Sequence, residues 1–128
     1  MTFKQINVNQ GYPVLEKLAT LQFKPLTAFK IFKLKNALNE YYMFAREEQT
    51  KIFEKYGIKQ SGDGAFHMEN PDPENIEKFN KDMSELLSIE YTLEDGLKPE
   101  IVLSYMDNLN ITPNELEYVS LFVSFIES

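Results

Sequence analysis

His67 is the one histidine in a chain of 128 residues that has no cysteine. Thiolate nucleophiles, disulfides and histidine-built metal centres are thereby excluded, and so is a zinc-binding HExxH helix. As a general base, His67 would need an orienting partner. The acids near it, Asp63, Glu69 and Asp72, could gather a hard cation. Yet the stretch from Ser61 to Asp72 lacks the ligand ladder and closing glutamate of a calcium loop. Turn chemistry accounts for Asp63-Gly64 without metal. Gly62 and Gly64 are framed by neither GxGxxG nor GxxxxGK, which excludes a phosphate loop. Ser61, Ser104 and Ser120 sit in no GxSxG elbow. Carboxylate pairs are plentiful, but on an acidic chain they arise by chance. The inventory therefore predicts a non-enzyme: no catalytic residue, no cofactor and no bound metal.

Lys24, Lys30, Lys33 and Lys35 lie among Phe29 and Phe32, a mixture that superficially resembles a nucleic-acid patch. On a helix these lysines spread around the cylinder, and a net charge of −7 opposes phosphate binding. No nucleic-acid partner is expected. Tyr41-Tyr42 reads as core edge rather than a stacking platform. The charge is divided unevenly. Residues 1–60 hold 10 Lys or Arg against 5 Asp or Glu, and residues 61–128 hold 3 against 15, hence +5 and −12. Either the chain has two electrostatically distinct surfaces, or its halves fold together and partly neutralise.

The elements that must position these residues are mostly helical. A composition of 43% hydrophobic and 26% charged residues is that of a folded domain, and the length suits a single domain, residues 1–128. No apolar run is long enough to span a membrane, and Met1 to Thr20 lacks the pattern of a signal peptide. A cytoplasmic protein without membrane contact is expected. The organising element is one long helix from Lys24 to Gly57. Pro25 and Thr27 mark its start and Gly57 its left-handed cap. Ile31, Leu34, Leu38, Tyr41, Ala45, Ile52 and Tyr56 share one face, and a second row of Phe29, Phe32, Ala37, Phe44 and Phe53 widens the stripe. That width predicts cover on two sides.

Before it, Thr2 to Val8 carries a weak strand pattern. A helix capped by Asn7 or Asn9 should follow to about Thr20, with Pro13 in its first turn and Val14, Leu15, Leu18 and Leu21 buried. After it, Ser61-Gly62-Asp63-Gly64 is a turn from which residues 65–68 return extended. Asp72 and Pro73 then start a helix whose face is Ile76, Phe79, Met83, Leu86 and Leu87. It should fold back antiparallel on the long helix, with Leu38 and Ile52 beneath its Phe79–Met83 face. Its acids Glu74, Glu77, Asp82 and Glu85 should then lie near the lysines of the long helix. Residues 88–94 alternate as a half-buried strand, Asp95-Gly96 turns, and Ile101 to Leu103 suits a second strand. Thr112, Pro113 and Glu115 open a C-terminal helix with a capping box. Leu116, Val119, Leu121, Phe122, Val123, Phe125 and Ile126 are too many for one stripe of that helix. Either the N-terminal helix covers the surplus, or Leu121, Phe122, Phe125 and Ile126 form an interaction surface. The fold class is thus α+β, predominantly helical. It has a long central helix with an antiparallel partner helix, a small β-hairpin or short sheet, and a buried C-terminal helix.

Several of these pieces occur in a familiar order. Lys35-Asn36 and Leu38, Phe44 and Arg46, then Ile52-Phe53 and Lys55-Tyr56-Gly57 lead to a polar turn ending at Asp63-Gly64. Ile76, Phe79, Met83 and Leu86-Leu87, the alternating Ile89 to Leu93, and Ile111 to Leu116 follow. From about Leu26 onward this order resembles a family of small phage and prophage proteins of unknown function, widespread in tailed phages of Gram-positive bacteria. The resemblance carries over no catalytic residue. It implies a phage-type origin and an accessory role in the host cytoplasm through contact with a phage or host protein, or by self-association. Such a role would lie in assembly or in modulating a host factor. The rival expectation is an acidic mimic of nucleic acid that blocks a host nuclease, polymerase or defence complex. A mimic needs carboxylates spaced like phosphates along one face, whereas an assembly protein exposes an apolar patch rimmed with polar groups.

Overall fold

A computed structural model describes residues 1–127. Strand β1 (Thr2–Lys4) runs directly into helix α1 (Gln5–Leu18), which starts earlier than the asparagines suggest. Asn7 does take part in the cap: its side-chain oxygen accepts the backbone N–H of Lys4 at 2.8 Å. Pro13 consequently falls in the helix interior, on an exposed side, rather than in the first turn. Helix α2 spans Pro25–Lys55, 31 residues, with proline at its first position. That is about 46 Å of helix at 1.5 Å per residue. Thr27 makes no capping bond at its start. Gly57 ends it at φ +64°, the left-handed geometry glycine tolerates best.

Strands β2 (Ile58–Gln60) and β3 (Phe66–Met68) form an antiparallel hairpin around Gly64, which adopts φ +86°. Helix α3 (Pro73–Leu87) is capped by Asp72, whose carboxylate accepts the Asn75 N–H at 2.9 Å. Strand β4 (Glu90–Thr92) follows, then a short 3-10 turn at Asp95–Leu97, strand β5 (Glu100–Val102) and a second 3-10 turn at Leu103–Met106. Helix α4 (Pro113–Val119) and strand β6 (Ser124–Ile126) close the described chain. The fold is helical α+β: among the described residues there are four helices, with small sheets of two strands each. The sheets join distant segments. β1 pairs antiparallel with β4, Phe3 opposite Tyr91, and β5 pairs parallel with β6, Ile101 opposite Phe125.

The core lies under one side of α2. Val8, Tyr12, Val14, Leu15 and Leu18 of α1 meet Ile31, Leu34 and Leu38 of α2, with Phe3, Ile101, Val119, Phe122 and Val123 closing the cluster. Leu21 is only half-buried. Leu38 is fully buried in this cluster rather than beneath α3, and Ile52 is half-buried. The far end of α2 is held by a second, aromatic cluster. Phe53 packs on Phe66 of the hairpin and Phe79 of α3, and Tyr56 meets Phe79 edge-on at 5.9 Å. Of the second row, Phe29, Phe32 and Phe44 stay exposed. The expected cover on two sides is not there. α1 is spent on the core-facing side and α3 on the far end, where Phe44 borders Leu86, and the row from Leu26 to Phe32 is left exposed.

The two halves of the chain partly neutralise each other. Lys17 pairs with Glu115 at 2.5 Å, Lys55 with Asp82 at 3.0 Å and Lys59 with Glu69 at 2.5 Å. Of the four acids on α3, Asp82 reaches a lysine of α2, while Glu74 pairs with Lys78 of its own helix at 3.0 Å.

One polar residue is buried within the fold. Gln5 has no exposed surface. Its amide nitrogen donates to the Asn9 side chain at 2.9 Å and the Tyr41 carbonyl at 3.2 Å, and its oxygen accepts the Tyr91 hydroxyl at 2.6 Å. Gln5→Leu leaves the buried Tyr91 hydroxyl without its acceptor, while the Tyr41 carbonyl keeps its helical bond, and should cost about 1–3 kcal/mol in urea unfolding. Adding Tyr91→Phe should recover part of the loss, because the orphaned hydroxyl goes with it. Asp82 offers a separate check. Hydrogen bonds from the Tyr56 hydroxyl, then from Lys55, hold its carboxyl below the usual range. The stabilisation is therefore present above the ordinary carboxylate pKa and is lost as pH falls through the folded value. Asp82→Asn should lower Tm at neutral pH, with the difference from the parent shrinking as pH falls through the lowered Asp82 value.

Candidate interaction surface

The C-terminal apolar segment is the surface that the sequence singles out. Thr112 and Glu115 form the expected capping box, each side chain accepting the other's backbone N–H at 3.2 and 3.1 Å. Helix α4 nevertheless stops at Val119, seven residues short of Ile126. The chain then turns, and residues 124–126 become β6 alongside β5, with Ser124 N–H donating to the Pro99 carbonyl at 2.9 Å. The change of period disperses the cluster. Phe122 is fully buried against Phe3, ring centroids 5.0 Å apart at 79°. It also closes over Gly11 of α1, where a Cβ would come within 2.7 Å of the Phe122 ring. Phe125 is half-buried against the core. Leu121 and Ile126 stay exposed, at 37% and 39%. The N-terminal helix thus covers Phe122, and two separated side chains are left at the surface. Ile126 borders a shallow cavity of about 170 Å³ shared with Phe23, Lys24 and Tyr105.

The larger apolar surface lies on α2. Leu26, Phe29 and Phe32 are 68%, 54% and 58% exposed, and Met43 and Phe44, about one helical turn past Glu40, continue the same side. Lys33 sits over the Phe29 ring at 5.8 Å. The signal was present in the spacing: a phenylalanine row interleaved with Lys33, Asn36 and Glu40 is half polar, unlike the uninterrupted row that fills the core.

The hairpin brings His67, Ser61 and Asp63 together, but in an order unsuited to nucleophilic catalysis. The Ser61 hydroxyl donates to the Asp63 carboxylate, and His67 Nε2 lies 3.2 Å from the same hydroxyl. Asp63 thus accepts the serine's hydrogen bond rather than orienting the imidazole, the reverse of a working triad. That bond from Ser61, with a second from the Ala65 N–H, holds the Asp63 carboxyl below its usual range. Gly64 and Ala65 form the turn that this cluster braces. Among the described residues no three His, Asp or Glu side chains are gathered as a metal site would require, and no helix is long and apolar enough to cross a membrane. A polar groove of about 490 Å³ runs between Asn9, Tyr42, Arg46, Gln49 and Phe66, with the Arg46 guanidinium 5.7 Å from the Tyr42 ring.

Searches against family models, curated proteins and solved structures find no match to this chain.

Substitutions separate core from surface in the C-terminal segment. Phe122→Ala should cost about 3–5 kcal/mol, as other large-to-small core changes do. Gly11→Ala should destabilise by about 1–3 kcal/mol, because the added methyl meets the Phe122 ring and the Tyr118 carbonyl. Ile126→Ser should stay within about 0.5 kcal/mol of the parent. Chemical denaturation of the three variants checks the order.

Proposed function

We propose that this chain is a small phage or prophage accessory protein that acts by protein–protein contact in the host cytoplasm, without catalysis. The contact serves assembly or the modulation of a host factor. The observation that carries the reading is the outer side of α2, where Leu26, Phe29, Phe32, Met43 and Phe44 are exposed together and rimmed by lysines and glutamates. Large apolar side chains grouped on one exposed helix face, with a charged margin, are the surface expected of a protein that binds another. The resemblance of the motif order to a phage family suggests the origin, and the hairpin geometry of Ser61, Asp63 and His67 supports the absence of catalysis.

The acidic-mimic reading has less behind it. The carboxylates are divided among α3, the turn after β4, β5 and α4, and Asp82, Glu69 and Glu115 are engaged by lysines of the first half. A surface that imitates phosphates needs its acids free and in line.

Affinity capture of the full chain from expressing cells, read by mass spectrometry, tests the proposal. The parent should retain a phage or host protein that the Phe29→Asp/Phe32→Asp variant loses while its circular dichroism is unchanged. Capture that is indifferent to these two residues would sink the reading.

A further inference from the structure

The exposed side of α2 has a regular period. Leu26, Phe29, Lys33, Asn36, Glu40 and Met43 succeed one another at steps of three and four, and each is exposed. The core-facing row Ile31, Leu34, Leu38 and Ala45 occupies the opposite side. Three-four spacing is the pattern by which one helix lies along another, with side chains of each fitting between those of its neighbour. The stripe runs from Leu26 to Glu47, about 32 Å of helix at 1.5 Å per residue. This is long enough for several turns of contact.

The order of its charges says which helix fits. Between Pro25 and Asn39 the helix holds Lys30, Lys33 and Lys35 and no acid, and the acids begin at Glu40 and continue with Glu47. On the stripe, apolar residues stand on both sides of the centre, Leu26 and Phe29 on one and Met43 and Phe44 on the other, with Asn36 at the middle and Glu47 at the far end. A sequence of this kind is complementary to its own reverse. Laid parallel, two copies would set Lys33 beside Lys33 and Glu40 beside Glu40. Laid antiparallel about a two-fold axis near Asn36, they set Lys33 beside Glu40 twice, and Phe29 against Met43 and Phe44 twice. Like charges in contact oppose association and opposite charges favour it and fix the register. An amide at the axis meets its own copy, where its donor and acceptor groups can pair.

The geometry points to a second copy of this chain as the occupant: α2 of one molecule lies antiparallel along α2 of the other, through the outer face. The inference rests on the protein-contact reading above and gives it a partner. Because the stripe lies opposite the core-facing row, the pairing leaves the core and the groove beside Arg46 untouched; at its far end Glu40 and Phe44 border Ile89, and Phe44 borders Leu86 of α3.

The experiment is a charge exchange read by solution mass. Sedimentation of the full chain, in low salt and diluted from about 100 µM, should show a dimer passing to a monomer on dilution. Lys33→Glu and Glu40→Lys, each alone, should weaken association at least about tenfold, because each places like charges together at two symmetric positions. The double variant Lys33→Glu/Glu40→Lys should return toward the parent. Circular dichroism should be the same for all four proteins, since both residues are exposed. A parent that stays monomeric throughout, a dimer indifferent to the single exchanges, or a double variant no stronger than the singles would each overturn the pairing. A monomeric parent that still captures a partner through Phe29 and Phe32 would remove the self-pairing alone. A monomeric parent whose capture ignores those residues would remove the protein-contact reading with it.

Discussion

Everything in this fold converges on the junction between β1 and α1, where a buried amide has to be satisfied. Gln5 is fully buried, and its side chain is shared among Asn9 of its own helix, the Tyr41 carbonyl of α2 and the Tyr91 hydroxyl of β4. A buried amide without partners would be unfavourable by an amount comparable to a sizeable part of a small domain's stability. Three segments far apart in sequence must therefore meet at one point. Its backbone N–H is held too, by the Ile89 carbonyl at 2.8 Å. Around the amide the rings of Tyr41 and Tyr91 stack with centroids 3.9 Å apart, and Phe3 touches both and Phe122 as well. The position and the direction of α2 follow from this junction.

Once α1 occupies one side of α2 and α3 grips its far end, nothing remains to cover the other side. One hundred and twenty-eight residues must bury a 31-residue helix, and they do so along one stripe. This explains why the apolar residues of α2 divide into two populations. Ile31, Leu34 and Leu38 are within the core, while Leu26, Phe29 and Phe32 project outward. The exposed apolar side of α2 is thus a consequence of how the fold closes. The C-terminal segment shows the converse. Its apolar residues are as concentrated as those of α2, but a turn after Val119 sends Phe122 and Val123 inward and pairs the remainder with β5. Concentration of apolar residues alone did not distinguish the two cases.

Charge plays the same double part. The surplus of lysines in the first half and of acids in the second is spent partly within the molecule, at Lys17–Glu115, Lys55–Asp82 and Lys59–Glu69. Such exposed pairs contribute little stability each, but they remove carboxylates from the free surface. What is left along α2 is a short ordered pattern of opposite signs rather than a uniform field.

The sequence by itself determined the local features. Pro25 and Gly57 bound the long helix, Asp72-Pro73 and Thr112-Pro113 start two others, and the glycines after Ser61 shape the hairpin turn, because these signals act within a few residues. The core row of α2 was legible as well, since its period is a property of the helix itself. Only the tertiary structure decided what pairs with what. No local rule joins β1 to β4 or sets β6 parallel to β5, and none says that α4 ends at Val119 in a run of residues that would equally suit a helix. Nor could periodicity decide whether the second apolar row of α2, the one interleaved with polar residues, would be covered. That choice depends on how many elements are available to cover the helix and where they come from, and Gln5, Tyr41 and Tyr91, hydrogen-bonded and stacked across 86 residues of chain, settle it by bringing those elements to one side.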